Sequence, residues 1–182
     1  MKILFYSSYF YPYVSGLTTY PWKILNHLAK EHQITVLTFN HQENKLKKLK
    51  IENLKLKIVY LPYLCRLSKG FISPQSLIYF FKEVQKTDLV FLNLPNFEGL
   101  PLAILARLWG KKIISIYHCQ VDLGKNIFSQ VVVFFLNLSV SFQCLLSHVI
   151  VGHVDYLKST PIGKKFQNKI KTTLPPVTSL PV

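Results

Sequence analysis

Short apolar runs alternate with amphipathic stretches along the chain. Ile3 to Tyr6 is apolar and opens the sequence. A turn-rich segment containing Pro12 and Ser15-Gly16 follows. Then Trp22, Leu25, Leu28 and Ala29 recur at three- and four-residue spacings. That periodicity predicts a helix with one apolar face. Thr18 or Thr19 serves as its cap, and Pro21 falls in the first turn, where a missing N–H costs little. Ile34 to Phe39 predicts a second strand. The opening is thus a β-loop-α-β unit with a small residue and a glycine just ahead of a helix N-terminus. Backbone N–H groups and the helix dipole favour an anionic group there.

The alternation is sustained. Lys57 to Leu61 reads as a third strand, ended by Pro62, and 63–73 reads as a loop. A helix is predicted from Pro74 to Lys86. Asp88 to Leu94 has the near-continuous apolarity of a strand covered on both faces. The next helix runs from Phe97 to Trp109, with Gly110 as its left-handed C-cap. Lys111 to Tyr117 is a strand that delivers His118 at its carboxyl end. Residues 148–152 form a sixth strand, a short helix follows, and Lys169 to Leu174 is the last strand. Short loops join most elements. The pattern predicts a single doubly wound, Rossmann-like α/β domain over residues 1–174, with a mainly parallel sheet and helices on both faces. Residues 175–182 read as an extended tail or truncated linker. Ligands in such folds lie at the carboxyl ends of the strands.

Two segments stand apart. Residues 45–57 carry six lysines and one acid, Glu52, interleaved with Leu46, Leu49 and Ile51. They fit a basic amphipathic helix on anionic lipid, or a solvated surface helix or loop. Residues 127–146 are long and apolar enough to span a bilayer. Gln130, Asn137, Gln143 and three serines interrupt them, which argues for a core or interfacial helix instead.

The net charge of +14 over 182 residues adds an anionic partner: a membrane surface, a phosphorylated substrate or nucleic acid. No nucleic-acid-binding motif is present, so that reading comes last. Cys65, Cys119 and Cys144 have neither metal-ligand nor disulfide-framework spacing, and a reducing compartment fits them. No metal set, Ser-His-Asp arrangement, Walker loop or HExxH motif is found. The first apolar run is short and is followed by turn and helix signals, so no signal peptide is read. These features point to the cytoplasm, with peripheral attachment at the inner face of the membrane.

Several stretches resemble family-four glycosyltransferases of the GT-B fold, in the right order. "MKILFYSSYFYPYVSG" is similar to their first strand and loop, and "TTYPWKILNHLAKEHQITVLT" to their first helix and second strand. "DLVFLNLPNFEGLPLAILARLWGKKIISIYH" resembles their fourth strand, a helix ending in glycine, and a strand ending in histidine. "SHVIVGHVDYLKS" looks like the strand-turn-helix before their interdomain linker. The resemblance implies a retaining transfer of sugar from a nucleotide sugar, a co-substrate, to a glycan or lipid-linked acceptor, with no bound cofactor or metal. This chain matches the acceptor-side domain. It has no counterpart of the paired-glutamate donor motif, and "LPPV" stands where the family shows a Pro-Asn-Gly turn. The expectation is a fragment, or a half whose donor-binding domain lies on a separate polypeptide. A non-catalytic subunit that docks on membranes and recruits such a partner is the alternative.

The resemblance nominates His118 as the catalytic residue, contacting the transferring sugar; otherwise it satisfies loop backbone at a strand end. Gly16 would let a diphosphate or sugar approach the backbone, or is a simple turn glycine. Ser15 would bond the ligand or cap the loop. Glu98 would hold an acceptor hydroxyl, or is a favourable charge at a helix N-terminus. Asp122 would orient His118 or cap the following helix. Tyr9, Phe10, Tyr11 and Tyr13 would stack on a sugar or lipid head group, or enter the core. His153 stands where relatives place a serine.

Overall fold

The structure, a computed structural model, describes residues 1–40, 55–67, 70–124, 126–153 and 156–173. Nine strands alternate with helices among them: β1 (Lys2–Tyr6), α1 (Gly16–Leu28), β2 (Gln33–Phe39), β3 (Leu56–Leu61), β4 (Cys65–Leu67), β5 (Gly70–Ile72), α2 (Ser76–Gln85), β6 (Leu89–Leu94), α3 (Gly99–Leu108), β7 (Lys112–Tyr117), α4 (Ile127–Leu146), β8 (Val149–His153), α5 (Tyr156–Ser159), α6 (Pro161–Lys165) and β9 (Ile170–Thr173). Seven strands form one sheet in the order β3-β2-β1-β6-β7-β8-β9. Every pairing in it is parallel. The chain winds outward from β1 to β3, then returns to β6 and winds the other way. The turning point lies between β1 and β6, where a doubly wound sheet opens its ligand crevice.

The pleat sorts the core into two layers. Leu4 and Tyr6 join Phe80 of α2, Leu102 and Ala106 of α3, and Val140 and Cys144 of α4. Ile3 and Phe5 face the other way, with Leu25 of α1 and Ala29. The fold is therefore a single α/β domain with helices on both faces of a parallel sheet.

Two readings of the sequence need correction. α1 starts at Gly16, because Ser15 is the N-cap and its N–H donates to Thr18 Oγ1 at 2.9 Å. Pro21 therefore sits inside the helix, beyond its first turn. Residues 63–73 are not all loop: β4 and β5 pair antiparallel, Arg66 opposite Phe71. α4 is inside out. Its buried side includes Ser139 and Gln143, while Phe134, Phe135 and Phe142 face solvent. The basic segment's residues 45–54 and the tail 175–182 lie outside the described residues.

Gly110 behaves as its sequence context predicts, with φ of +64°. Its N–H bonds Arg107 O at 3.0 Å and Lys111 N–H bonds Ala106 O at 2.8 Å, a Schellman closure of α3.

Candidate functional site

Two crossings of polar side chains occupy the carboxyl edge of the sheet. The first begins with Pro21, which has no N–H to give the carbonyl four residues back. Asn93, near the end of β6, fills that gap: its Nδ2 donates to Leu17 O at 3.1 Å and to Ser7 Oγ at 2.9 Å. Ser7 Oγ can accept because its own hydrogen goes to Tyr9 O at 2.6 Å. The Leu17 carbonyl only accepts, so the Asn93 amide has one workable orientation, with Oδ1 toward His118 Nε2 at 2.6 Å. His118 Nε2 must then carry the proton, and the neutral ring has its lone pair on Nδ1. Asn93 is 5% exposed, so the network ties β1, α1, β6 and the end of β7 together out of contact with most water.

The second crossing centres on Glu98, at the start of α3. Its Oε2 accepts from Ser8 Oγ at 2.9 Å and Tyr6 Oη at 3.4 Å, and its Oε1 from the Phe71 N–H. One carboxylate thus clasps the β1 loop, the β4–β5 hairpin and α3. Tyr6 is fully buried, and burial first, then the Glu98 charge, pushes its hydroxyl well above the usual tyrosine range. Behind Glu98, Asn96 Oδ1 accepts from Gly99 N at 2.8 Å, and Gln143 Nε2 donates to Asn96 O at 2.9 Å. Ser139 Oγ adds a bond to Phe97 O at 3.2 Å. These bonds are why the polar stripe of α4 faces inward: it satisfies the carbonyls of the β6–α3 loop. A Cβ on Gly99 would lie 2.5 Å from Asn96 Oδ1 and 2.6 Å from Gln143 Oε1, so a larger residue there would displace both amides.

Between the crossings lies a cavity of about 240 Å³. Ser8, Tyr9, Leu17, Phe97 and Glu98 line it, together with Cys119, Asp122, Val132 and Leu136. Its wall is mostly apolar, with the carboxylates of Glu98 and Asp122 among the lining. A smaller hollow shares Ser8, Tyr9, Leu17 and Pro95 with it and reaches Ser7 and Asn93.

The nominated residues divide accordingly. Glu98 and Asp122 line the cavity. His118 stands behind it, bonded to Asn93. Ser15 caps α1, and Gly16 is exposed in its first turn, where an added Cβ would meet nothing within 4 Å. The fold itself gives no steric reason for glycine at 16. Asp122 fills neither structural role proposed for it: its Oδ1 takes the Gly124 N–H at 2.9 Å, and Asn126 Oδ1 caps α4 through Ser129 N at 2.7 Å. Of the loop aromatics, Phe10 is core, Tyr11 stacks on Trp22 at 4.5 Å, Tyr9 packs on Phe71, and Tyr13 is exposed. No cluster of three or more potential metal-ligating side chains occurs among the described residues. Asn93 escaped the sequence reading. Its signal was there: a lone amide in an apolar strand must find partners when buried.

The seven-stranded parallel sheet, doubly wound and with a cavity at its carboxyl edge, is an α/β arrangement that hosts many functions. No family model and no curated protein sequence matches the chain. Among solved structures it is similar to the crystal structure of MurG from Acinetobacter baumannii, with a TM-score of 0.55 and 13% identity over 98% of this chain. The matched region is 46% of that protein, so the chain spans somewhat under half its length. The likeness is one of fold. It supports GT-B architecture broadly and does not reach the narrower family-four resemblance.

Proposed function

We propose that this domain is the acceptor-binding half of a glycosyltransferase, acting with a donor-binding half that holds a nucleotide sugar. The observation that carries this reading is the cavity at the carboxyl edge, in a fold shared with MurG. The acceptor enters the cavity with its apolar portion against Phe97, Val132 and Leu136, which favours a lipid-linked glycan. Glu98 and Asp122 supply acceptors for its hydroxyls. His118, its tautomer and orientation set by Asn93, addresses the sugar as charge develops at the anomeric carbon. Stabilisation of the leaving diphosphate falls to helix ends and basic side chains, and the family resemblance implies retention.

The test is transfer of labelled sugar by this chain assembled with its donor-binding half. His118→Ala should lower turnover about a hundredfold, the loss of one positioned polar group, while acceptor affinity changes little. A folded variant with unchanged turnover removes His118 from the chemistry. Calorimetry adds a second arm: residues 1–182 alone should bind a polyprenyl-phosphate glycan better than any nucleotide sugar. The reverse ranking would move the domain to the donor side. A non-catalytic recruiting subunit predicts that neither ligand binds.

A further inference from the structure

The outer surface of the helical layer is unexplained by sugar transfer. α3 packs between α2 and α4 on one face of the sheet. α4 turns Ile127, Val131, Phe134, Leu138, Phe142 and Leu145 outward at helical spacing, with Ile127 82% and Phe134 63% exposed. Its twenty residues include no charged side chain. α2 adds exposed Leu77, Ile78 and Phe81, and α3 adds Ile104 and Leu108. Trp109 meets the Phe81 ring edge-on at 5.1 Å, closing the gap between these two helices. A helix facing only water shows the opposite arrangement, polar out and apolar in. Exposed apolar side chains on three adjacent helices mark an interaction site.

The charges around it choose the occupant. Lys82, Lys86, Arg107 and Lys111 gather at the C-terminal ends of α2 and α3, and the chain carries +14 overall. Glu83 pairs with Lys86 at 3.8 Å, and Asp88 takes the Lys2 N–H. A second copy would bring the same positive edge against this one. An anionic lipid surface offers hydrocarbon for the phenylalanines and phosphates for the lysines.

We propose that the outer faces of α2, α3 and α4 form one docking surface for an anionic bilayer, with α4 lying in the plane of the interface. α4 does not span. Gln143 and Ser139 are committed to the carbonyls of Asn96 and Phe97, and Lys169 Nζ holds Leu145 O at 2.6 Å. Insertion would strip those carbonyls of their donors and carry the amide into hydrocarbon. The inference stands on this surface alone, whatever reaction the domain serves.

Trp109 reports on it. The chain has two tryptophans, and Trp22 lies on α1, across the sheet. In a Trp22→Phe background, vesicles of phosphatidylcholine and phosphatidylglycerol should shift Trp109 emission to the blue, and brominated acyl chains should quench it. Binding should weaken as salt rises and fall sharply on pure phosphatidylcholine. Phe134→Gln with Leu138→Gln, and separately Leu77→Gln with Phe81→Gln, should each cut partitioning about tenfold or more. These side chains face solvent, so circular dichroism should be unchanged. Vesicle binding with Trp109 unquenched, or partitioning unmoved by both pairs, overturns the surface. Retention through an alkaline carbonate wash overturns in-plane docking in favour of a span. A concentration-dependent dimer whose formation blocks vesicle binding assigns the face to a second copy and overturns the lipid proposal.

Discussion

The Pro21–Leu17–Asn93 arrangement makes a quantitative forecast about stability. Asn93 donates two hydrogen bonds and accepts one, and it is almost fully buried. At about 1 kcal/mol for each bond, Asn93→Ala should cost about 3 kcal/mol. One third of that cost belongs to the Leu17 carbonyl, which has no helical donor only because residue 21 is proline. Pro21→Ala restores that donor. In the Pro21→Ala background, Asn93→Ala should therefore cost about 1 kcal/mol less than in the wild type. The direct effect of Pro21→Ala mixes relief of the helix with loss of chain restriction, and the cycle cancels it. Urea denaturation of the four proteins, followed by circular dichroism, measures the coupling. Additivity within about 0.3 kcal/mol would mean that Asn93 does not stand in for the missing helical donor, and the reading of the Asn93 amide orientation, and of the His118 tautomer, would fall with it.

Glu98→Gln should free the hairpin from the rest of the site, at a cost of about 1–2 kcal/mol for the weakened charge-assisted bonds. Hydrogen exchange at the Phe71 amide should accelerate, and unchanged protection there would refute the clasp. Cys144 is buried and its thiol is pushed up to about 12, so a maleimide should label Cys65 and Cys119 while Cys144 reacts only on unfolding. His148 has its pKa lowered, by desolvation first and then by the charges of Arg107, Lys169 and Lys112. Below the usual histidine value near 6.5 the unfolded chain binds the proton more readily, so stability should fall as pH drops through that value toward the lower folded one. His148→Gln should remove this component; it is small because the ring is exposed, and an identical pH profile in both proteins would negate it.

The seven strands of the main sheet and most helices were legible because a sheet covered on both faces needs unbroken apolar runs, and the Gly110 turn followed from its place after Trp109; the β4–β5 hairpin, read as loop, was not. Helix starts were less legible. Ser15, Thr18 and Thr19 are all good caps, and only the folded loop shows that Ser15 and Thr18 bond each other. Before α4 the sequence reading took Asp122 as a cap, and the folded loop gives that place to Asn126. The orientation of α4 lay beyond the pattern altogether. Periodicity shows two stripes, one of phenylalanines and one in which Ser139 and Gln143 sit among Leu136, Val140 and Cys144, and it does not say which is buried. The deciding fact is that the carbonyls of Asn96 and Phe97 lie under the helix and need donors, which is a tertiary fact. The His118 position was read from its strand, while its bond to Asn93 depended on the register of β6 against β7, Asn93 opposite Ile116.

The all-parallel order of the sheet also has a temporal side. β1 is the first strand to be synthesised and ends at the centre of the sheet. Its pairing with β2 joins Ile3 to Ile34, but its other neighbour begins at Leu89. Lys2 and Asp88, bonded at that seam, are 86 residues apart. At ribosomal speeds the interval between completing β2 and completing β6 is on the order of 3–11 s. For that time β1, whose Leu4, Phe5 and Tyr6 are fully buried in the fold, exposes an unpaired edge, a template for any other extended chain. The order of translation makes the central strand a temporary border, and a chaperone that shields extended apolar segments has its natural point of action there.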